Sequence, residues 1–258
     1  MSPAPFLQRV AVVDERVRDF GVWPYSLPFV RGLALEFHRP VTFFVGENGS
    51  GKSTLLEGIA QACRLPSAGG GANELPDRHG PENQAALCGA LRCTFRDRPL
   101  DRYFFRAEFQ AHFASLLDRR EEDPDFGGDP YMRYGGKSLH TRSHGEAFLA
   151  MLIGRLESGL VLMDEPESAL SPQRQLTLLA RMAEMAAAGA SQFLVATHSP
   201  ILLTYPGAEI VSFDSAALPT VRLEDTSHYR ITKGILERPE SYWRHLTDGK
   251  GSGDPTLL

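Results

Sequence analysis

The most constraining stretch of the chain runs from residue 41 to residue 63, where the sequence predicts a strand, a glycine-rich turn and a helix in succession. Residues 41–45 are all β-branched or aromatic, as in a short buried strand. Residues 46–53 fit the phosphate-loop pattern of Gly, four residues and Gly-Lys-Ser. Apolar residues then recur at helical spacing up to residue 63. Because a phosphate-binding loop needs this context, a merely flexible turn is the poorer interpretation.

Each part of this loop has a chemical role towards a bound phosphate group. The glycines let successive backbone amides point inwards around the phosphate oxygens, and the start of the following helix adds partial positive charge. We expect Lys52 to reach the outer phosphates and Ser53 to offer its hydroxyl to Mg²⁺. The predicted nucleotide-contacting residues of the loop are Gly46, Glu47, Asn48, Gly49, Ser50, Gly51, Lys52, Ser53 and Thr54.

The overall composition predicts a globular chain without a membrane span. Its 258 residues suit one large α/β domain, and a hydrophobic content of 42% allows a sizeable core. Neither an apolar run of roughly 18–20 residues nor a secretory signal is found. The net charge of −5 gives no general attraction to nucleic acid. We expect one cytoplasmic domain over residues 1–258, with a helical insert subregion at about 65–158 and a C-terminal helical tail at about 226–248.

The rest of the chain predicts alternating strands and helices. Strands are expected at residues 6–13, 29–37, 88–96, 102–109, 160–163, 192–196 and 209–213. Helices are expected at 112–120, 143–157, 172–188 and 227–246, with Ser171 capping the third and Pro239 breaking the last. The Gly- and Pro-rich residues 65–83 predict a mobile surface loop, and residues 126–138 predict irregular structure.

Two adjacent carboxylates, Asp164 and Glu165, follow the apolar strand 160–163. Acidic side chains at the end of a buried strand are costly unless a cation or a proton donor meets them. Mg²⁺ with a bound water would meet them, and a buried acid pair without an ion is the alternative interpretation.

His198 follows the buried strand 192–196. A single histidine is often structural, but this one is predicted at the carboxyl end of a parallel strand, in the same row as Asp164 and the phosphate loop. A functional role is therefore the favoured interpretation.

Three further segments leave alternatives open. Ser143 and Glu146 form a capping box that starts the helix 143–157. The recurring arginines of residues 92–106 indicate either a solvated face or a polyanion contact. The aromatic side chains upstream of the loop either stack on adenine or close the edge of a sheet; they are Phe20, Trp23 and Tyr25.

These blocks, in this order and spacing, resemble the ATP-binding-cassette (ABC) class of P-loop ATPases over about residues 30–215. Residues 46–54 resemble the Walker A motif of that class, and 160–165 resemble its Walker B motif with the following glutamate. Residues 168–170 are similar to its D-loop, 197–199 to its switch histidine and 143–146 to its signature motif.

The chain also departs from the family pattern. Arg142 stands where leucine usually precedes the signature serine, and His144 and Glu146 replace the usual glycine and glutamine in a shifted pattern. Ser171 stands where the D-loop usually has an aspartate. A clear Q-loop glutamine is missing, and its candidates are Glu108 and Gln110.

The resemblance is closer to soluble ATPase heads of the SMC and overcoming-lysogenisation-defect type than to transporter subunits. It implies an α/β fold of ABC type with a mostly parallel central sheet, flanking helices, a small antiparallel β region and a helical signature subregion. Two heads would associate head to tail as an ATP-dependent homodimer. This dimer would drive an unknown protein partner in DNA maintenance or phage defence, with only weak support for nucleic-acid binding.

The resemblance also implies residue roles and two competing functions. Lys52 would bind phosphates, Ser53 and Asp164 would hold Mg²⁺, Glu165 would activate water and His198 would contact the γ-phosphate. The signature residues Ser143 and Gly145 would act in trans on the second ATP. The alternatives are an ATPase subunit of an ABC membrane transporter and a non-catalytic nucleotide sensor.

Overall fold

The computed structural model describes residues 3–66, 69–71, 86–106, 110–123, 127–155 and 158–247. Its strands are β1 (Leu7–Val12), β2 (Ala34–Glu36), β3 (Val41–Val45), β4 (Gly70–Gly71), β5 (Leu91–Phe95), β6 (Arg102–Arg106), β7 (Gly159–Asp164), β8 (Ser191–Ala196) and β9 (Glu209–Ser212). Its helices are α1 (Lys52–Ala62), α2 (Ala86–Ala90), α3 (Gln110–Glu122), α4 (His144–Arg155), α5 (Pro172–Ala187), α6 (Ser227–Glu237) and α7 (Pro239–Thr247). None of the helices in these ranges is long and apolar enough to cross a membrane.

The larger sheet has six strands in the order β4-β6-β7-β8-β3-β9. All neighbouring pairs are parallel except β4 with β6. Every residue of β3, β7 and β8 is buried, because helices and the smaller sheet cover the two faces. Double coverage explains why these strands are continuous apolar runs in the sequence rather than alternating patterns.

Neighbouring side chains on these strands enter two different cores. Phe43 packs with α4 and α5 on one face, whereas Phe44 packs with α1 and the smaller sheet on the other. On β6, Phe105 likewise packs in the core that contains Phe43, and Phe104 packs in the core that contains Phe44. Since successive side chains of a strand point to opposite faces, the central sheet separates the two cores.

The smaller sheet is antiparallel, in the order β2-β1-β5. The buried side-chain amide of Gln192, on β8, fastens it to the larger sheet. Its Oε1 accepts hydrogen bonds of 2.8 Å from the backbone amides of Phe6 and Leu7, and its Nε2 donates to the carbonyl of Leu7 at 2.9 Å. Together the two sheets confirm the predicted α/β fold class, with a parallel central sheet and a small antiparallel region.

The strand expected at residues 29–37 is mostly wrong, because only residues 34–36 form β2. Residues 29–32 are turns, residue 33 is irregular, and Gly32 has a φ of 72°. Phe29, Val30 and Leu33 are nevertheless buried in the core against α1 and the smaller sheet. These buried turn residues imitate the apolar pattern of a strand.

Other boundaries also differ from the expectation. Residues 86–90 are helical, so the strand expected at 88–96 begins at residue 91. Within the loop expected at 65–83, residues 70–71 form β4 by pairing with β6, and residues 67–68 and 72–83 lie outside the described residues. The strand expected at 102–109 ends at 106, and residues 107–109 are also outside them.

The helices agree more closely with the sequence pattern. The helix expected at 112–120 is longer in the structure, where α3 runs from Gln110 to Glu122. The helix expected at 227–246 breaks at Pro239 into α6 and α7. Pro172 occupies the first turn of α5, but the Ser171 side chain forms no capping hydrogen bond within the described part of the chain. The single-domain division over 1–258 stays a prediction.

Gly159, at the start of β7, offers a test of the central sheet. Its φ is 98°, and a Cβ there would overlap the carbonyl oxygen of Asp101. Left-handed backbone costs an L-residue roughly 1–2 kcal/mol before any overlap is counted, so Gly159→Ala should lower the free energy of unfolding by at least about 2 kcal/mol. Urea unfolding followed by circular dichroism measures this change.

The matched control is Gly89→Ala in α2, where an added Cβ would meet nothing within 4 Å. Removing a helical glycine should leave stability unchanged or raise it by up to about 1 kcal/mol. Equal unfolding midpoints for Gly159→Ala and the unmodified protein would contradict the conformation described for β7.

Candidate functional site

Parallel strand register brings the predicted site together at one edge of the central sheet. Asp164, at the end of β7, is paired with Arg106 of β6 on one side and with Ala196 of β8 on the other. Ala196 is also paired with Phe44, one residue before the end of β3. The phosphate loop, Asp164 and His198 therefore leave neighbouring strands on the same side, as expected for a ligand site in a parallel sheet.

The phosphate loop has the backbone that its glycines predict. Gly46, Gly49 and Gly51 have φ values of 144°, 80° and 96°. Gly51 also faces the core, where an added Cβ would lie 2.7 Å from Cε1 of Phe29. The turn thus needs glycine there both for its left-handed backbone and for space.

Lys52 lies within the loop that it is expected to serve. Its Nζ donates to the carbonyls of Gly46 at 2.7 Å and Glu47 at 2.9 Å. Burial lowers the pKa of Lys52, and the carboxylates of Glu165 and Asp214 oppose that shift. A buried ammonium satisfied by two carbonyls can exchange them for phosphate oxygens, which are stronger acceptors.

Ser53 and Asp164 form the contact expected of two ligands of one cation. The Ser53 hydroxyl donates to Oδ1 of Asp164 at 2.9 Å, across 111 residues of sequence. Asp164 is only 6% exposed, and burial raises its pKa to about 6. A carboxylate in this position is stabilised by a positive charge, which fits Mg²⁺.

The donor set is appropriate for Mg²⁺ that is shared with a nucleotide. The described residues contain no cluster of three or more His, Cys, Asp or Glu side chains that could enclose a metal ion. Mg²⁺ in nucleotide sites is commonly held by one or two protein oxygens, with phosphates and water completing its octahedron. Ser53 and Asp164 fit that pattern.

Arg106 is a site residue that sequence reasoning missed. Its side chain is 14% exposed, and it forms an ion pair with Glu57 of α1 and approaches Oδ2 of Asp164 at 3.5 Å. Of the two alternatives for residues 92–106, the solvated face is wrong for Arg106, and the polyanion contact stays a prediction. No local sequence pattern marked it, because its place beside Asp164 depends on the pairing of β6 with β7. Of the Q-loop candidates, Glu108 lies outside the described residues and Gln110 begins α3.

Glu165 has an unusual backbone conformation at the end of β7. Its φ and ψ are 47° and 54°, which is left-handed and rare for a residue with a long side chain. Its amide still donates to the carbonyl of Ala196 at 2.9 Å, which holds the bend against β8. The bend directs an accessible carboxylate towards His198, with 3.7 Å between Oε1 and the histidine Nε2.

His198 is held from two sides. Its backbone amide donates to Oε1 of Glu167 at 2.6 Å, and its Nδ1 lies 2.8 Å from Nε2 of His228 in α6. Burial lowers the pKa of His198, and the positive charge of Lys52 adds to this effect. The predicted catalytic residues Lys52, Glu165 and His198 are thus in one electrostatic environment, and His228 and Glu167 are neighbours that the motifs did not reveal.

The predicted signature residues lie in a second place, at the start of α4. Ser143 is exposed, and Oε2 of Glu146 accepts hydrogen bonds from its amide at 3.0 Å and its hydroxyl at 2.8 Å. Glu146 also pairs with Arg174 at 3.1 Å. Gly145 is buried, and a Cβ there would lie 2.8 Å from the carbonyl of Ala169. Ser143 is therefore at the surface, as a contact in trans requires, whereas Gly145 is covered by Arg174 and Ala169.

An open cleft of about 460 Å³ lies beside the phosphate loop. The residues that line it are Glu47, Asn48, Gly49, Ser50, Phe213, Asp214 and Ser227. Of the upstream aromatic residues, Phe20 and Tyr25 pack against the core, as their sheet-edge interpretation predicts. Trp23 is 66% exposed and does not fit that interpretation.

Two family models match separate parts of the chain. Residues 19–84 match a family described as "AAA domain". Residues 147–204 match one described as "AAA domain, putative AbiEii toxin, Type IV TA system". The chain matches none of the curated proteins with which it was compared.

Solved structures with a similar fold include ATP-binding cassettes of ABC transporters. One cassette of an ABC transporter is 18% identical, with a TM-score of 0.50 and coverage of 92% of this chain and 97% of its own. A nucleotide-free cassette is 16% identical, with a TM-score of 0.50 and coverage of 91% and 96%. An SMC head domain from Thermotoga maritima is 17% identical, with a TM-score of 0.45 and coverage of 80% and 94%. The chain therefore has the fold of ABC ATPase cassettes, and two of its segments match AAA-type family models.

Because burial raises the pKa of Asp164, we expect the free energy of unfolding to depend on pH. Its pKa of about 6 lies above the ordinary value of about 3.9, so the folded protein binds this proton more tightly than the unfolded chain. Stability should fall as the pH rises from about 4 to about 6. Asp164→Asn should therefore raise the free energy of unfolding without metal by up to about 3 kcal/mol at about pH 7.5, and by nothing near pH 4.

Urea unfolding in EDTA at the two pH values measures this difference. Asp19→Asn is the control, because Asp19 is exposed and bonds the backbone amide of Gly21 through an oxygen that asparagine retains. A lower stability of Asp164→Asn at both pH values would show that the ionised carboxylate stabilises the fold.

Proposed function

We propose that this chain binds ATP with Mg²⁺ at the carboxyl ends of β3, β7 and β8 and hydrolyses it. The observation that carries the proposal is the 2.9 Å hydrogen bond between Ser53 and Asp164 beside the ammonium of Lys52. It joins a hydroxyl and a carboxylate of the kind that hold Mg²⁺ in P-loop proteins. The AAA family models and the cassette fold support the same function.

Phosphate binding would use the loop and the first turn of α1. The amides of residues 46–54 and the amino end of the helix supply donors and partial positive charge. Lys52 would exchange the carbonyls of Gly46 and Glu47 for oxygens of the outer phosphates.

Metal binding would use Ser53 and Asp164. Bound Mg²⁺ supplies positive charge that neutralises the phosphate oxygens during transfer. Arg106, ion-paired with Glu57, keeps a positive charge beside Asp164 and so favours the ionised form of its carboxyl group.

Hydrolysis would use Glu165 and His198. The Glu165 side chain is 46% exposed, so a water molecule can reach it, and its carboxylate can accept the proton of that water. Nε2 of His198, on the same side, can donate a hydrogen bond to a phosphate oxygen. The strained backbone of Glu165 agrees with this role, because strain of this kind concentrates at functional sites.

A second copy would complete each site. Ser143 is exposed at the amino end of α4, where helix amides favour a negatively charged partner. In the free chain Glu146 satisfies Ser143, and Arg174 and Ala169 cover Gly145. We propose that two copies pair head to tail on ATP, and that the γ-phosphate replaces Glu146 at Ser143.

The protein partner of this dimer and its process, DNA maintenance or phage defence, stay predictions. The likeness to transporter cassettes concerns the fold, so it does not favour a transporter subunit over a head that works without a permease.

Removing the Lys52 ammonium tests nucleotide binding. Lys52→Ala should weaken binding of a fluorescent ATP analogue at least about 100-fold, because a charged donor to the phosphates is lost. The control is Lys233→Ala, since Lys233 is 51% exposed on α6. Equal affinities of Lys52→Ala and the unmodified protein would place the nucleotide elsewhere.

Neutralising Glu165 separates binding from turnover. Glu165→Gln should keep ATP binding, lower phosphate release at least about 100-fold through loss of the general base, and accumulate a dimer in ATP. Phosphate release and light scattering after size-exclusion chromatography measure these effects.

The matched control is Glu184→Gln on α5, where the side chain is 67% exposed. Unchanged phosphate release would remove Glu165 from the reaction. A monomer that binds ATP would argue against the trans site while leaving the ATPase proposal in place.

A further inference from the structure

The C-terminal tail places a second histidine beside the switch histidine. His228 is the second residue of α6, and its Nε2 lies 2.8 Å from Nδ1 of His198. The two ring centroids are 4.9 Å apart. The other ring nitrogen of His198, Nε2, is buried without a hydrogen-bond partner among the described residues and faces Glu165 at 3.7 Å. The ring therefore has one nitrogen in contact with the tail and one that faces Glu165 in the proposed site.

A contact between two ring nitrogens requires one proton between them, so one ring donates and the other accepts. Burial lowers the pKa of both histidines, and the charge of Lys52 adds to the effect on each. The neutral pair is thus favoured, and each neutral imidazole carries a proton on only one of its nitrogens.

Two arrangements of the protons satisfy this contact. If His198 donates from Nδ1, its Nε2 presents a lone pair to the carboxylate of Glu165, which is repulsive. If His228 donates from Nε2, His198 accepts at Nδ1 and keeps its own proton on Nε2, facing that carboxylate. The second arrangement is electrostatically favoured.

The surroundings of His228 agree with the second arrangement. Its Nδ1 is then an acceptor, and the Ser227 hydroxyl lies 3.5 Å away. The first turn of α6 is fixed by Thr226, whose Oγ1 accepts from the Tyr229 amide at 3.3 Å. Thr226 is itself buried, so the turn that presents His228 is anchored.

We infer that His228 is a positioning residue for the proposed ATPase reaction, which holds His198 in the tautomer that carries its proton on Nε2. In that form His198 can donate to a phosphate oxygen. This inference rests on the proposed function. It assigns the first turn of the C-terminal tail to the site itself.

Steady-state ATP hydrolysis tests the inference. His228→Ala should lower kcat by about tenfold to 100-fold with little change in KM, a loss of the size found when the hydrogen-bond partner that orients a metal-bound histidine is removed. His228→Gln should restore part of the loss, because the glutamine amide can donate from a similar position. His38→Ala is the matched control, since the His38 side chain is 67% exposed.

The double variant separates positioning from a general structural effect. If His228 acts only through His198, then His198→Ala/His228→Ala should be no slower than His198→Ala alone. The inference would be overturned if the two losses added in the double variant. It would also be overturned if His228→Ala had the same kcat as the unmodified protein. None of the residues of α6 is fully buried, so His228→Ala should fold normally.

Nuclear magnetic resonance of ¹⁵N-labelled imidazole rings gives a readout without turnover. His198 should carry its proton on Nε2 in the unmodified protein and become a mixture of tautomers in His228→Ala. A proton on Nδ1 of His198 in the unmodified protein would overturn the inference. Absence of ATP hydrolysis by the unmodified protein would instead refute the proposed function, and the tautomer measurement would still decide the role of His228.

Discussion

The parallel register of β3, β8 and β7 is the constraint on which the site depends. Because Asp164, Ala196 and Phe44 are at paired positions, the loops that follow the three strands begin at the same edge of the sheet. Each strand is buried on both faces, so a shift of one residue would exchange the side chains that enter the two cores. Packing of the cores thus fixes the relative position of the phosphate loop, the acid pair and His198.

The same edge concentrates groups that are unfavourable in a protein interior. Lys52 and Asp164 are buried ionisable side chains, and Glu165 has a left-handed backbone. Nε2 of His198 is buried beside the carboxylate of Glu165. Removing charged groups from water and bending the chain at Glu165 both cost stability. A nucleotide with Mg²⁺ would offset these costs together, because it brings phosphate oxygens to the ammonium and a cation to the carboxylate. Binding of this ligand would therefore stabilise the fold.

Much of the fold and most of the central site could be predicted from the sequence. Doubly buried strands are continuous apolar runs, and the loop between β3 and α1 has a motif with few other interpretations. The contribution of Arg106, Glu57 and His228 could not be predicted, because it depends on strand order and on the path of the tail, which local patterns do not encode. The error at residues 29–37 arose because burial in a turn imitates a strand, and β4 was missed because two glycines carry no side-chain pattern.

The amide of Gln192 has a consequence for how the chain reaches this structure. It joins β8 to the segment around Phe6 and Leu7, more than 180 residues earlier. During synthesis, the first strand must therefore leave the ribosome long before the group that fastens it. Helices such as α1 can form from local contacts, whereas closure of the two sheets requires a long loop to be ordered and is expected to be slow. Until β8 emerges, the apolar faces of β3 and β7 lack the strand that lies between them, and a nascent chain at this stage is exposed to aggregation.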